Sequence, residues 1–433
     1  MSARLRFGLR TYVLATIFDL IYLLGVVVVL PWLWVLVFRR RRKVGVLYER
    51  LGRWSLPDSA KSRGWIHAVS VGELEAALPL IARLREANPD LEWVLSVTTA
   101  SARELAERRL PDLPCHYFPI DFGFCVRRVL RRVRPAALVL VELEVWPNLL
   151  LHTEAAEIPV VVVNARVSER GFRRLSRVRA LMRPVLRRVT HYDAQSDEVA
   201  DRLRRLGVPE ERVSVGGNLK FDRPELAEAS ERRFRFESTW GYREGAPRWI
   251  AGCTHPGEEE ILLDVQRRLR ERGESVSLVL VPRHVERADA LVESIRAQGF
   301  DVARYSDGAG GAPEVLLVDA TGVLAELYAC ADVAFVGGSL IPHGGHNPLE
   351  PVLAGPPTVH GPNMQNFRAV VQALEDTVAC GRNADEIHAV ARGWFDDPSA
   401  GAEMATRALE RIRRHRGAAE RNAATVERYL AAR

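Results

Sequence analysis

Residues 65–86 read WIHAVSVGELEAALPLIARLRE. Trp65–Ser70 is a short, nearly continuous apolar run, and Glu75–Glu86 carries its apolar residues at helical spacing. A buried strand that turns directly into a helix is half of a βαβ unit. The same alternation recurs outward from it. Strands are predicted at Trp93–Thr99, Cys115–Ile120, Ala137–Glu142, Pro159–Asn164 and Tyr192–Ser196. A charged stretch near Asp222–Gly245, with Pro224 and Gly241 and no long apolar strand, reads as a crossing between domains. A second series follows at Trp249–Thr254, Val276–Pro282, Asp301–Tyr305, Val315–Asp319, Val333–Val336 and Pro357–His360. The expectation is two similar α/β domains of parallel sheet facing each other across a cleft, with ligands at the carboxyl ends of the strands. The tail from about Ala384 is helical and Arg/Ala-rich and is grouped with the second domain. At roughly 100–200 residues per domain, 433 residues suit this organisation.

The N-terminal flank differs in kind. Leu20–Phe38 carries no charge, and its 19 residues would rise about 28 Å as a helix, close to the hydrocarbon thickness of a bilayer. Tyr22, Trp32 and Trp34 suit an interface, and Arg39–Lys43 follows as an unbroken basic run. A cleaved signal peptide lacks its small-residue site here. The run predicts a single-pass membrane helix, with the body of the protein on the cytoplasmic side. Pro31 leaves an interfacial helix open as the alternative. The globular part is expected to begin near Trp65. The domain reading is therefore 1–43 anchor, 44–230 first domain and 231–433 second domain.

Hydrophobic content of 47% and charged content of 27% exclude disorder over most of the chain. The net charge of +6 favours anionic partners. Five scattered cysteines with no CxxC pair argue against a disulfide framework or a structural zinc site. No dinucleotide fingerprint and no P-loop follow the strands.

Several residues stand where strands end. Glu73 opens a helix after the first strand and suits a general base; a dipole-stabilising first-turn glutamate is the alternative. Glu142 and Glu144 follow the apolar run Ala137–Val141, and strand alternation would send both to one face. Lys220, in GGNLKFD (216–222), suits a developing negative charge. Arg283 and His284 suit a phosphate. In GGSLIPHGGHNPLEP (337–351), the glycines would let backbone amides approach an anion, and Glu350 offers two acceptor oxygens to a diol. From Arg170 to Arg188 there are eight arginines and no acid. Arg173, Arg174 and Arg177 lie in what reads as one basic amphipathic helix for an anionic membrane or a phosphorylated lipid. A solvated face is the alternative; nucleic acid lacks a recognition motif here.

The segments HAVSVGE (67–73), ELEVWPNL (142–149), NARVSER (164–170), AQSDE (194–198), GNLKFD (217–222), AGCTHPGEE (251–259), LVPRHVER (280–287) and FVGGSLIPHGGHNPLEP (335–351) resemble, in order, the 3-deoxy-D-manno-octulosonic acid (Kdo) transferases. The resemblance implies a GT-B glycosyltransferase of two Rossmann-like domains behind an inner-membrane anchor. It implies transfer of Kdo from CMP-Kdo to the lipid A precursor lipid IVA with inversion, without cofactor or metal. By resemblance, the base falls on Glu73 and the transition-state-stabilising pair on Glu142 and Lys220. CMP contacts fall on Arg283, His284, Thr321, Gly322, Val323, Asn347, Pro348, Leu349 and Glu350. Glu144, Arg173, Arg174 and Arg177 are placed on the acceptor and membrane side. Thr321 and Val323 replace the outer residues of the usual Met-Gly-Glu turn, which leaves backbone contacts there. Cys253 stands where serine is usual. The alternatives are a GT-B enzyme using a UDP-sugar on a lipid acceptor, and a non-catalytic membrane-anchored binding protein.

Overall fold

The structure, a computed structural model, describes residues 11–24, 44–59, 61–226, 229–271, 275–308 and 310–431. The first sheet holds β1 (Arg63–Ala68), β2 (Glu92–Val97), β3 (Cys115–Tyr117), β4 (Pro135–Val141), β5 (Val160–Ala165), β6 (His191–Ala194) and β7 (Val213–Val215). Its order is β3-β2-β1-β4-β5-β6-β7. The second holds β8 (Arg248–Thr254), β9 (Ser277–Pro282), β10 (Val302–Arg304), β11 (Val315–Leu317), β12 (Val333–Val336), β13 (Thr358–His360) and β14 (Ala379–Cys380), in the order β10-β11-β9-β8-β12-β13-β14. Both sheets are parallel throughout. All twelve strands expected from the sequence are present. The two it missed, β7 and β14, are edge strands of three and two residues, too short for a periodic signal.

Each sheet is buried on both faces, and period-2 alternation divides its side chains between them. Trp65, Leu138, Leu140, Val160 and Val162 pack into one layer. Their neighbours Ile66, Val139, Val141, Val161 and Val163 pack into the other, against Leu74, Ala77, Leu80 and Ile81 of the helix Val71–Ala87. In the second sheet Trp249, Ala251, Leu278 and Leu280 face one way and Ile250, Val279 and Val281 the other. Strand order reverses beside β1, between β2 and β4, and beside β8, between β9 and β12. Flanking helices on opposite faces diverge at such a point and leave a crevice at the carboxyl ends.

Both ends of the chain depart from expectation. The compact units are Met1–Asp222 with His415–Arg433, and Arg223–Arg414. The last helix, Ala418–Ala431, thus belongs with the first sheet and not the second. Ala418, Ala423 and Val426 lie in the same layer as Ile66 and Val139. Asp222 Oδ1 accepts from the Gly417 amide at 2.7 Å, and Oδ2 accepts from the Ala419 amide, capping that helix. An alanine-rich stripe has the right period but names no particular sheet, so the sequence did not show which one it covers.

At the other end, the globular part begins well before Trp65. Residues 11–24 are helical. Ala15 and Phe18 are buried in the core, and Trp54 and Leu56 join them. Asp19 Oδ1 accepts from the Gly123 amide at 3.0 Å and from Asn148 Nδ2 at 2.8 Å, and Tyr22 donates to Asp121 at 3.0 Å. Residues 15, 18, 19 and 22 form one helical stripe, which docks the helix. The rest of the expected anchor, residues 25–38, and the basic run Arg39–Lys43 lie outside the described residues. Among the described residues, no helix is long and apolar enough to cross a membrane.

Asn422, fully buried, ties the last helix to the sheet: its Oδ1 accepts from the Asn164 amide at 3.0 Å, and its Nδ2 donates to Gly216 O at 3.3 Å. Asn422→Ala strands that buried amide, an expected loss of about 1–3 kcal/mol. In a unit this size the melting temperature falls by roughly 2–4 °C per kcal/mol. Calorimetry should place the loss in the transition of the first unit; an unchanged transition would show that the tail is dispensable.

Candidate active site

Glu73 sits in the first turn of the helix Val71–Ala87, directly past the end of β1. Its Oε2 accepts from the Val69 amide at 2.7 Å and its Oε1 from Ser70 Oγ at 3.1 Å. Burial, followed by the Glu142 and Glu144 charges, pushes its carboxyl up to about 7 against the two hydrogen bonds. Burial and Glu142 push Glu144 up to about 7 as well. β4 ends at Val141, and Glu142 adopts φ +61°, in the left-handed region. Strand alternation therefore stops one residue earlier than expected. What brings Glu142 and Glu144 beside Glu73 is this turn, not a shared strand face. Lys220 Nζ lies 3.7 Å from Glu142 Oε1. It rides on the short turn Leu219–Asp222, which the Leu219 amide fastens to Asn164 Oδ1 at 3.0 Å. Asn164 is itself left-handed, with φ +53°. Non-glycine residues held in this region at strand ends cost energy and concentrate at functional sites.

The second unit gathers a different chemistry at its own reversal point. Glu258, fully buried just after β8, accepts from the His255 amide at 3.0 Å. It also accepts from the amides of Gly338 at 2.6 Å, Ser339 at 2.9 Å and Leu340 at 2.9 Å. Three amides of the glycine-rich loop, which was expected to offer its amides to an anion, are thus occupied by a carboxylate of the chain itself. The loop is knit closely: a Cβ on Gly337 would stand 2.3 Å from Cys253 O. His255, His343 and His346 converge there, with Nε2 of His255 and His346 2.8 Å apart. Burial first, then the neighbouring histidines and Arg283, holds His255 and His346 down to about 4. The His284 ring lies 5.7 Å from that of His255.

Arg283 and His284 follow β9 and are exposed, with the Arg283 amide bonded to Thr254 O at 3.0 Å. Asn347 Nδ2 donates to Glu350 Oε1 at 3.3 Å, and Asn347 Oδ1 accepts from the Leu349 amide at 3.2 Å. Pro348 precedes the short helix Leu349–Ala354. Arg223 Nη1 stands 3.4 Å from Glu350 Oε1. The turn Thr321-Gly322-Val323 follows β11, two strands from β8; Thr321 and Gly322 face solvent, and Gly322 has φ +86°. The structure therefore collects Glu73, Glu142, Glu144 and Lys220 in one group and Arg283 and His284 beside three further histidines in another. Sequence reading missed Glu258 as a clamp and His255, His343 and His346 as a group, because they come from loops far apart in the chain. The expected single basic helix is two, Glu169–Arg177 and Arg179–Leu186, broken at Val178. Arg173, Arg174 and Arg177 are exposed on the first, and Arg173 pairs with Glu169.

Among solved structures, UDP-GlcNAc 2-epimerase from Neisseria meningitidis bound to UDP-GlcNAc shares the fold. Its TM-score is 0.58 at 15% identity, covering 86% of this chain and 100% of that one. The fold class is thus α/β of the GT-B kind, with two parallel-sheet domains. A family model described as 3-Deoxy-D-manno-octulosonic-acid transferase (kdotransferase) matches residues 46–223. The 3-deoxy-D-manno-octulosonic acid transferase of Haemophilus influenzae is 31% identical over 391 residues, 89% of this chain and 91% of that protein. That of Bordetella pertussis is 33% identical over 380 residues, 83% of this chain and 86% of that protein. The chain belongs to the Kdo transferases and is a glycosyltransferase of lipopolysaccharide biosynthesis.

The raised Glu73 carboxyl has a consequence for stability. The folded protein holds this proton more tightly than the unfolded chain does, so the contribution is present below about pH 4.5 and is lost as pH rises through about 7. Glu73→Gln removes that penalty. Its melting temperature should exceed that of the parent at pH 8 and match it near pH 4.5. Equal shifts at both pH values in thermal unfolding would refute the raised carboxyl.

Proposed function

We propose that this enzyme moves Kdo from CMP-Kdo to lipid IVA by a single inverting displacement, with the acceptor bound by the first unit and the donor by the second. The observation that carries the reading is Glu73, a carboxyl near the carboxyl end of β1 raised to about 7. A general base works best when its pKa lies near the operating pH. Glu73 takes the proton from an acceptor hydroxyl. That oxygen bonds to the anomeric carbon of Kdo, and the bond from that carbon to the phosphate oxygen breaks, its electron pair leaving with CMP. Lys220, held beside Glu142, supplies a positive charge for the negative charge that develops. Arg283 and His284 hold the phosphate. Asn347, Pro348, Leu349 and Glu350 hold the nucleoside, with Glu350 kept in place by Asn347. The Thr321-Gly322-Val323 turn adds backbone contacts. CMP-Kdo has one phosphate, so no diphosphate calls for a bridging metal. Glu144 lies on the acceptor side.

We further propose that the first unit meets the cytoplasmic face of the inner membrane. The outward side of the helix at residues 11–24 supports this: Tyr12, Val13, Ile17, Leu20, Ile21, Leu23 and Leu24 are all exposed. Leu20–Phe38 as a spanning anchor and Arg173, Arg174 and Arg177 as contacts for anionic lipid complete the reading.

Incubation of lipid IVA with the enzyme and CMP-Kdo should give the mass increment of Kdo, in EDTA as well as without it. CMP-Kdo should be required, and UDP-sugars should give nothing. Glu73→Ala should cut transfer by about 10²–10⁴ while CMP affinity stays near the parent value. Transfer within a few-fold of the parent would remove Glu73 from the role of base.

Arg173, Arg174 and Arg177 changed together to Gln should remove most of the preference for anionic over neutral vesicles. The preference is expected to scale at about 1 kcal/mol per basic residue near the surface and to fade with salt. Binding to neutral vesicles should persist. Flotation that shows an unchanged ratio would make this helix a solvated face.

A further inference from the structure

One ring nitrogen from each of His255, His343 and His346 lies within 4.8 Å of the other two. His255 comes from the loop after β8 and is buried; His346 is half-buried and His343 exposed on the loop after β12. The His255 and His346 rings are within 6° of parallel, and the ring centres of His255 and His343 stand 4.2 Å apart. Two features hold this arrangement. Glu258 binds the backbone of both loops, through the His255 amide and the Gly338, Ser339 and Leu340 amides. Gly338, with φ +66°, clears the space: a Cβ there would meet His346 Cδ2 at 2.9 Å and His343 Nδ1 at 3.1 Å.

The neutral imidazole ring is the form that binds metal. Zinc–nitrogen bonds of about 2.0–2.1 Å place the ligand nitrogens of a tetrahedral site roughly 3.3 Å apart. The Nε2 atoms of His255 and His346 stand 2.8 Å apart, and one ring nitrogen from each of the three histidines lies within 4.8 Å of the other two. Imidazole ligands favour zinc, copper and nickel over magnesium or calcium. The buried Glu258 carboxylate brings a negative charge to the same two loops.

We infer that His255, His343 and His346 form a binding site for a borderline divalent transition-metal ion of the zinc class. Its fourth position stays open to water or an anionic oxygen. Glycosyl transfer as described above needs no such ion, and the site does not rest on that reading. It gives the second unit a means of responding to metal.

The test uses the full chain in detergent, without a histidine tag, stripped with EDTA and dialysed. Titration with zinc should give one ion per chain at micromolar affinity or tighter, undisturbed by excess magnesium. His343→Asn, an exposed change, and His255→Gln should each weaken binding by at least about tenfold. Cobalt should give the visible absorption of a four-coordinate site, lost in both variants. Cys380→Ser, removing an exposed thiol as a rival ligand, should leave zinc affinity unchanged. Absence of stoichiometric binding in the parent, or affinity unaltered in the folded His343→Asn protein, overturns the proposal.

Discussion

A parallel sheet turns the carboxyl ends of all its strands to one edge, and right-handed crossovers fix which face each helix covers. Where strand order reverses, the helices part, and that edge is left open. This chain meets the constraint twice, beside β1 and beside β8. Most of the reactive groups in both units lie at these two points. Glu73 follows β1, and Glu142 and Glu144 follow β4. His255 and Glu258 follow β8, and the loop with His343 and His346 follows β12. The all-buried strands give such a site its rigidity, because close-packed Val, Ile and Leu on both faces leave the strand ends little room to shift.

The two crevices handle negative charge in opposite ways. Glu258 is wholly buried, yet four backbone amides meet its two oxygens, so its charge is matched where it stands. Glu73 receives two hydrogen bonds but faces two other carboxylates, and burial outweighs the bonds. Its proton is therefore retained up to about pH 7, where that of a solvated glutamate would already be gone. The difference follows from backbone geometry. The glycine-rich loop curls its amides around one point, whereas the turn at Glu142 delivers carboxylates and no amides to Glu73. A clamp results in one case and a carboxyl raised to about 7 in the other.

Much of this was legible from residues. Continuous apolar runs such as Ala137–Val141 mark strands buried on both faces, and their alternation with helical spacing fixes a parallel sheet. Predicted strand ends singled out Glu73 and Arg283, and the segment before the domain crossing singled out Lys220; the structure places Glu73 past β1, Arg283 past β9 and Lys220 beside Glu142. Edge strands such as β14, with two residues, carry no period to read. The left-handed turn at Glu142 was hidden because a non-glycine residue there has no signature in sequence. The histidine group was hidden because no spacing links His255 to His343; only the sheet order, with β8 beside β12, makes them neighbours. The docking of the helix at residues 11–24 was hidden for a physical reason. Ala15, Phe18 and Asp19 lie before the uncharged run Leu20–Phe38, and that run read by itself showed neither their docking nor that Tyr22 joins them.

The last helix shows how a remote element reaches the reactive group. Asn422 Oδ1 takes the Asn164 amide, and Asn164 Oδ1 takes the Leu219 amide next to Lys220. Asp222, two residues beyond Lys220, caps the same helix through Gly417 and Ala419. The turn Leu219–Asp222 is therefore held at both ends, once by a side chain oriented from the terminal helix and once by that helix directly. A lysine on a free turn would sample many rotamers and lose most of its electrostatic value to water. Here the backbone beneath it is fixed, and Lys220 Nζ stands 3.7 Å from Glu142 Oε1. The return of the chain to the first sheet thus serves more than the core: the same helix that buries Ala423 and Val426 also fixes the turn that carries Lys220.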